Sequence, residues 1–333
     1  MKPIEPNTGA LTRRDFSKAL AMVAVASAGP GFPAGPTSAQ TARAERDERM
    51  RRANLGDIEL EYEILGRGDP VILMHAGVLA EWFEPLMEEP ALNGHYRLVR
   101  YHRVGYAGST SLPGPVSLAT QAAQLRSLMV SLRIAKAHIV GHSSSANIAL
   151  QFALDAPEMT QSLALLEPAL LGVPSGPQVV QSILAPALDR YRAGDRAGAV
   201  DTFLRGVAGP GYGTALDEVL PGAFEQAVAD ADTFFGQELP AVREWRFERA
   251  HAERITVPVL AVIGANSDDV RSPSGAGPRV FAERQALLLD WLPNVEPFVL
   301  PDATHLLHVQ NPRGTAEALA AFFARHPLAS GAG

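Results

Sequence analysis

Apolar residues in this chain fall into short runs separated by turn-forming stretches, and two periodicities take turns. Ile58 to Leu65 alternates apolar and polar positions, which predicts a half-exposed strand near a sheet edge. Gly66-Arg67-Gly68-Asp69-Pro70 is a turn. Val71 to Met74 is wholly apolar, as an interior parallel strand should be. Further strands are predicted at Tyr96 to Tyr101, Ala137 to Gly141, Ser162 to Leu166, Val257 to Gly264 and Glu296 to Leu300. Helical spacing marks Ser117 to Leu132, with Ser117 as N-cap and Leu118, Leu125, Leu128 and Leu132 apolar. It returns after Ser145, in Phe281 to Leu292, and from Asn311-Pro312 onward, where Ala316, Leu319, Phe322 and Phe323 face inward. Residues 169–253 read differently: helical, punctuated by Gly and Pro, and rich in aromatics. Ala265 to Pro278 is a long polar loop containing Gly, Pro and Ser.

Composition narrows the possibilities. A chain of 333 residues, 47% hydrophobic, can bury one large core, and one domain with an insertion is expected rather than two. With a net charge of -7, nothing suggests a surface for nucleic acid or for a polybasic membrane contact. The absence of cysteine excludes disulfides, thiolate catalysis and cysteine-ligated metal. No apolar run is long enough for a stable membrane span. At the start, Thr12-Arg13-Arg14-Asp15-Phe16-Ser17-Lys18 precedes a short apolar run, Ala19 to Ala28, and a Gly/Pro/Ala/Ser-rich stretch. This resembles a twin-arginine export signal, which implies a periplasmic or secreted protein. On that reading residues 1–39 are the signal, 40–54 a linker and 55–333 the working domain.

The candidate chemistry centres on Gly141-His142-Ser143-Ser144-Ser145, between a predicted strand and a predicted helix. The spacing differs by one residue from the G-x-S-x-G turn that lifts a serine hydroxyl to the top of a parallel sheet. Ser145 stands where that pattern has glycine. On these residues, over roughly 55–327, the chain resembles the α/β-hydrolase superfamily, in the branch of serine-nucleophile, cofactor-independent esterases. The resemblance implies a mostly parallel central sheet flanked by helices, with an inserted helical cap at about 169–253.

Carried over residue by residue, Ser143 is the nucleophile and His305, in Pro301-Asp302-Ala303-Thr304-His305, is its base. His308 is a competitor for that role. His75-Ala76-Gly77-Val78 resembles the family's oxyanion loop, and the donors would be the backbone N–H groups of Gly77 and Ser144. His75 is expected to hold that loop's shape. His102 to Ser109 resembles another structural loop of the family. Two carboxylates compete for the triad acid. Glu167 ends the strand after the nucleophile helix, a slot that a minority of the family use. Asp268 lies one residue past the commoner slot, which Ser267 occupies. No cofactor and no metal are implied. The expected activity is hydrolysis of a small ester, lactone or thioester through an acyl-enzyme. C–C bond hydrolysis with the same triad, and ligand binding without catalysis, are the alternatives. The expected partner is a small-molecule substrate.

Overall fold

The structure, a computed structural model, describes residues 49–269 and 279–329. The signal-like segment and most of the long polar loop fall outside these residues. Eight strands form one sheet: β1 (Arg51–Asn54), β2 (Glu59–Leu65), β3 (Asp69–Met74), β4 (Tyr96–Tyr101), β5 (Ala137–His142), β6 (Thr160–Leu166), β7 (Val259–Gly264) and β8 (Val295–Leu300). Their spatial order is β1-β2-β4-β3-β5-β6-β7-β8. The first two strands pair antiparallel, and β2 meets β4 antiparallel. From β4 to β8 every pairing is parallel. The α/β fold with a mostly parallel sheet is therefore present as the pattern predicts.

One correction falls at the edge. Residues 51–54, expected in a linker, form β1, register-paired with β2 from Arg51 opposite Tyr62 to Asn54 opposite Glu59. Only Ala53 of this strand is buried, so its sequence carries no apolar alternation to reveal it. Cross-strand charge holds it instead: Arg52 reaches Glu59 at 2.8 Å and Glu61 at 3.0 Å.

Five helices matter for the site: α1 (Leu118–Ser131), α2 (Ser144–Asp155), α3 (Arg196–Ala208), α4 (Val280–Trp291) and α5 (Pro312–Ala324). Ser117 caps α1, its Oγ accepting from the Thr120 N–H at 3.0 Å. Asn311 caps α5 through Gly314 N–H at 2.8 Å. Interior strands have two buried faces, so successive residues enter opposite cores. Val71, Leu73, Val140, Ala164 and Leu166 pack with Leu319, Phe322 and Phe323 of α5. Their neighbours Ile72, Met74, Ile139, Leu163 and Leu165 pack with Leu125 and Leu128 of α1 and Ile148 and Phe152 of α2. Between β6 and β7 the chain runs through short helices from Gly176 to Ala252, α3 the longest of them, with π-helical turns at Val180–Leu184 and Phe234–Glu238. No helix among the described residues is long and apolar enough to cross a membrane.

Candidate active site

The turn between β5 and α2 explains why small residues crowd this stretch. Ser143 has φ 55° and ψ -119°, a left-handed conformation that a side chain adopts only at a cost of about 1–3 kcal/mol. Its N–H donates to Leu166 O at 2.9 Å, and its C=O accepts from Ala169 N–H at 3.1 Å. The turn is thus fastened to the end of β6. A Cβ on Gly141 would lie 2.5 Å from Ser145 O and 2.7 Å from Ala146 N and Cα, all backbone, so only glycine fits. Ser145, which departs from the expected glycine, works as a staple. Its Oγ accepts from His142 N–H at 2.8 Å and lies 2.6 Å from Met74 O and 2.9 Å from His142 O, so its proton ties the end of β3 to the turn.

Glu167, directly after β6, is completely buried, with φ 46°. Its Oε1 accepts from Gly264 N–H at 2.8 Å and its Oε2 lies 2.5 Å from Nδ1 of His305. Both oxygens are therefore committed, one to fixing the carboxylate and one to the imidazole. Asp268 is engaged elsewhere. Its two oxygens accept from Phe281 and Ala282 N–H at 3.0 and 3.1 Å, capping the first turn of α4. Ser267, in the commoner acid slot, is fully buried and carries no charge to offer. His308 is also elsewhere: it stacks on Phe83 at 4.5 Å and meets Trp82 edge-on at 5.3 Å. Burial pushes its pKa down to about 3, so it packs as a neutral ring. Asp302 takes φ 54°, as a turn former does.

The loop expected to hold the oxyanion follows β3. His75 is buried, with Nδ1 2.7 Å from Ala76 O and Nε2 accepting from Arg103 N–H at 2.9 Å. Burial, then the nearby Arg103 and His102, hold it well below the ordinary histidine pKa, so it stays neutral and shapes the loop. Gly77 N–H points at Oγ of Ser144, 3.0 Å away. The expected pair of backbone donors thus lies beside a hydroxyl that sequence reading assigned no part. A Cβ on Gly77 would lie 2.4 Å from the Phe234 ring, so glycine here admits the helical insertion to close range.

Ser143, Ser144, Gly77 and His305 line one cavity of about 70 Å³. The rest of its wall is mostly apolar and includes Trp82, Phe203, Phe234 and Leu204. His142 joins them, stacked on Trp82 at 4.9 Å and tilted against His305 at 4.5 Å. Burial, then His305 and His308, keep His142 well below its ordinary pKa. His142, Glu167 and His305 bring ligand atoms within 4.8 Å of one another. A metal there would have to break the bonds that Glu167 already makes, so the donor set fits a hydrogen-bonded pair better than a metal centre.

Sequence reading missed how the insertion is anchored. Arg103, 2% exposed, donates from Nε to His75 O at 3.1 Å and pairs with Glu238 at 2.9 Å. Tyr106 OH also bonds Glu238. Thr233 Oγ1 donates to Gly105 O at 2.6 Å, and Asp230 accepts from Ala107 N–H at 3.1 Å. Residues 230–238 are therefore docked on the loop after β4, itself bonded to the oxyanion loop. The partners lie more than a hundred residues apart, and no local signal could have joined them.

Known proteins resemble this chain at several levels. "Putative carbamate hydrolase RutD" of Klebsiella pneumoniae subsp. pneumoniae is 39% identical over 100 residues, which is 30% of this chain and 38% of that protein. The chain thus spans well under half the length of such curated relatives. A thermophilic esterase from Thermogutta terrifontis superposes with TM-score 0.68 at 20% identity, over 83% of this chain and 99% of its own. The enol-lactonase from Burkholderia xenovorans does so with TM-score 0.62 at 19% identity, over 82% and 100%. At such identities the two structures speak for the fold alone. The sequence profile of the alpha/beta hydrolase family matches residues 71–318, from the first interior strand into the last helix, and the chain belongs to that family.

Proposed function

We propose that the protein is a serine hydrolase of a small ester, lactone or thioester, acting through an acyl-enzyme. The observation that carries this reading is the buried Glu167–His305 pair at 2.5 Å, opening on the same cavity as Ser143. A serine hydroxyl needs a base to become a nucleophile. His305 Nε2 takes the Ser143 Oγ proton as Oγ attacks the substrate carbonyl. Glu167 holds Nδ1–H, fixing the tautomer that leaves Nε2 free to accept, and steadies the imidazolium that forms. The carbonyl oxygen, now an oxyanion, is received by the N–H groups of Gly77 and Ser144. It takes over the Gly77 bond that Ser144 Oγ holds at rest. Such a donor contributes on the order of 3 kcal/mol because it is aimed before the reaction begins. The imidazolium gives its proton to the leaving oxygen, and a water then repeats the cycle on the acyl-enzyme.

A fluorophosphonate probe tests this directly. It should label the purified protein once, at Ser143, and Ser143→Ala should abolish labelling. An unlabelled, folded wild-type protein would favour a binding scaffold without an activated serine. We propose also that the chain is exported by the twin-arginine route, on the strength of Arg13-Arg14 and the short apolar run that follows.

A further inference from the structure

A second cavity, of about 410 Å³, opens beside the first, and Ala169, Leu171 and Val242 line both. Its chemistry differs. Arg243 and Arg246 stand on it, with the Trp245 and Phe247 rings between and beyond them, stacked at 5.6 Å. Among the described residues its lining contains no carboxylate. Neither arginine has an acidic ion-pair partner among the described residues, although eleven other arginines do. Arg246 gives one nitrogen to Arg243 O and Trp245 O, which leaves the rest of its fork available. From the opposite wall comes Asn147, on the nucleophile helix and 1% exposed. Its Nδ2 donates to Ala169 O at 3.1 Å, while its Oδ1, fully buried, has no hydrogen-bond partner among the described residues. A buried acceptor left open is destabilising unless a ligand supplies the missing donor.

We propose that this second cavity receives the leaving-group half of the substrate, and that this half carries a carboxylate and an N–H or O–H. The proposal rests on the serine-hydrolase reading above. The two cavities differ in capacity as the two halves of such an ester would. The smaller, mostly apolar one beside Ser143 holds a small acyl group, and the larger one holds a flat or apolar body ending in an anion. Guanidinium forks match carboxylate geometry with paired N–H donors. Asn147 Oδ1 accepts from the body's own donor. Acyl transfer then leaves the acyl group on Ser143 Oγ, and the anionic alcohol, having gained the His305 proton, departs through the arginine-lined mouth.

The test compares 4-nitrophenyl acetate with 3-carboxy-4-nitrophenyl acetate on the full chain. The readout is the ratio of their kcat/KM values. Wild type should prefer the carboxylated ester by about tenfold. Arg243→Gln with Arg246→Gln should bring the ratio near unity, through KM rather than kcat, and so should about 0.5 M salt. Asn147→Asp, which puts a like charge in the cavity, should reverse the preference. A wild-type ratio near one, or a ratio that the double substitution leaves untouched, overturns the proposal. If neither ester turns over, it is the hydrolase reading that has failed. The cavity is then judged by calorimetry with 5-hydroxy-2-nitrobenzoate, whose binding must be present in wild type and lost in the double variant.

Discussion

Glu167 occupies a backbone conformation that glycine adopts freely and glutamate does not. The site tolerates it because the carboxylate makes one bond to the β7 end and one to the histidine. Glu167→Gln keeps the shape but can present an amide N–H to Nδ1 and favour the wrong tautomer. We expect it to lower kcat on any turned-over ester by on the order of 10⁴-fold, with KM little changed. Asp268→Asn should cost little activity, since that carboxylate caps α4. Kinetics of both variants on one substrate decide the matter, and a large loss in Asp268→Asn beside a near-normal Glu167→Gln would reverse the assignment. Ser145 offers a second test at this scale. Ser145→Gly, which restores the expected pattern, removes the staple and leaves Met74 C=O short of a buried donor. It should destabilise by about 1–3 kcal/mol in urea unfolding, and an unchanged midpoint would show the staple to be idle.

Strands and helices were legible because their residues obey local rules. A wholly apolar run such as Val71 to Met74 announces an interior strand, and Ser117 announces the cap of α1. The turn at Ser143 and Glu167 were legible for the same reason, since each directly follows a recognisable strand, and His305 lies five residues past the end of another. β1 was not, because charge rather than apolar alternation holds it in place. Charge pairing of this kind extends inward from that edge. His102, buried, lies between Glu61 at 3.0 Å and Glu81 at 3.1 Å, and Arg100 reaches Glu63 at 2.6 Å and also Glu81. Burial opposes the His102 charge, but the hydrogen bonds to Glu61 and Glu81 outweigh it, and its pKa is raised above the ordinary 6.5. A raised pKa stabilises the fold fully below about 6.5 and ceases to do so as pH climbs through the folded value. Glu61 and Glu81, both lowered, contribute above about 4.5 and fail as pH falls. The stability gap between wild type and His102→Gln should therefore shrink as pH rises from about 6 to about 9. A gap constant across that range, measured in urea at each pH, would mean that His102 is neutral.

At the scale of the whole molecule, the insertion and the sheet are fastened by contacts that no local pattern foretells. Arg103 and Glu238 form the innermost of them, both nearly excluded from water. Removing one partner leaves a buried charge alone, at a cost of about 3–5 kcal/mol. Glu238→Ala should thus lower the melting temperature and loosen the oxyanion loop through Arg103 and His75, reducing kcat more than KM. A variant with normal kcat would show that the loop keeps its shape unaided. Export belongs to this scale as well. Arg13→Lys with Arg14→Lys should leave folded protein in the cytoplasm, as cell fractionation would show; normal export would remove the twin-arginine reading.

Glu167 at the end of β6 has one more consequence, for how the chain divides its labour. In the proposed triad, nucleophile and acid both belong to the single unit β5–α2–β6, and only the histidine comes from a distant segment, 138 residues on from Glu167. On that assignment the connection leaving β7 beyond Asp269 need not supply a catalytic group. Insertions, deletions and grafts between Asp269 and Arg279 should therefore be tolerated. Replacing residues 270–278 with a short glycine–serine bridge should leave ester turnover within a few fold of wild type. The same exchange within 302–306 should abolish it, which makes the first segment the natural port for redesign.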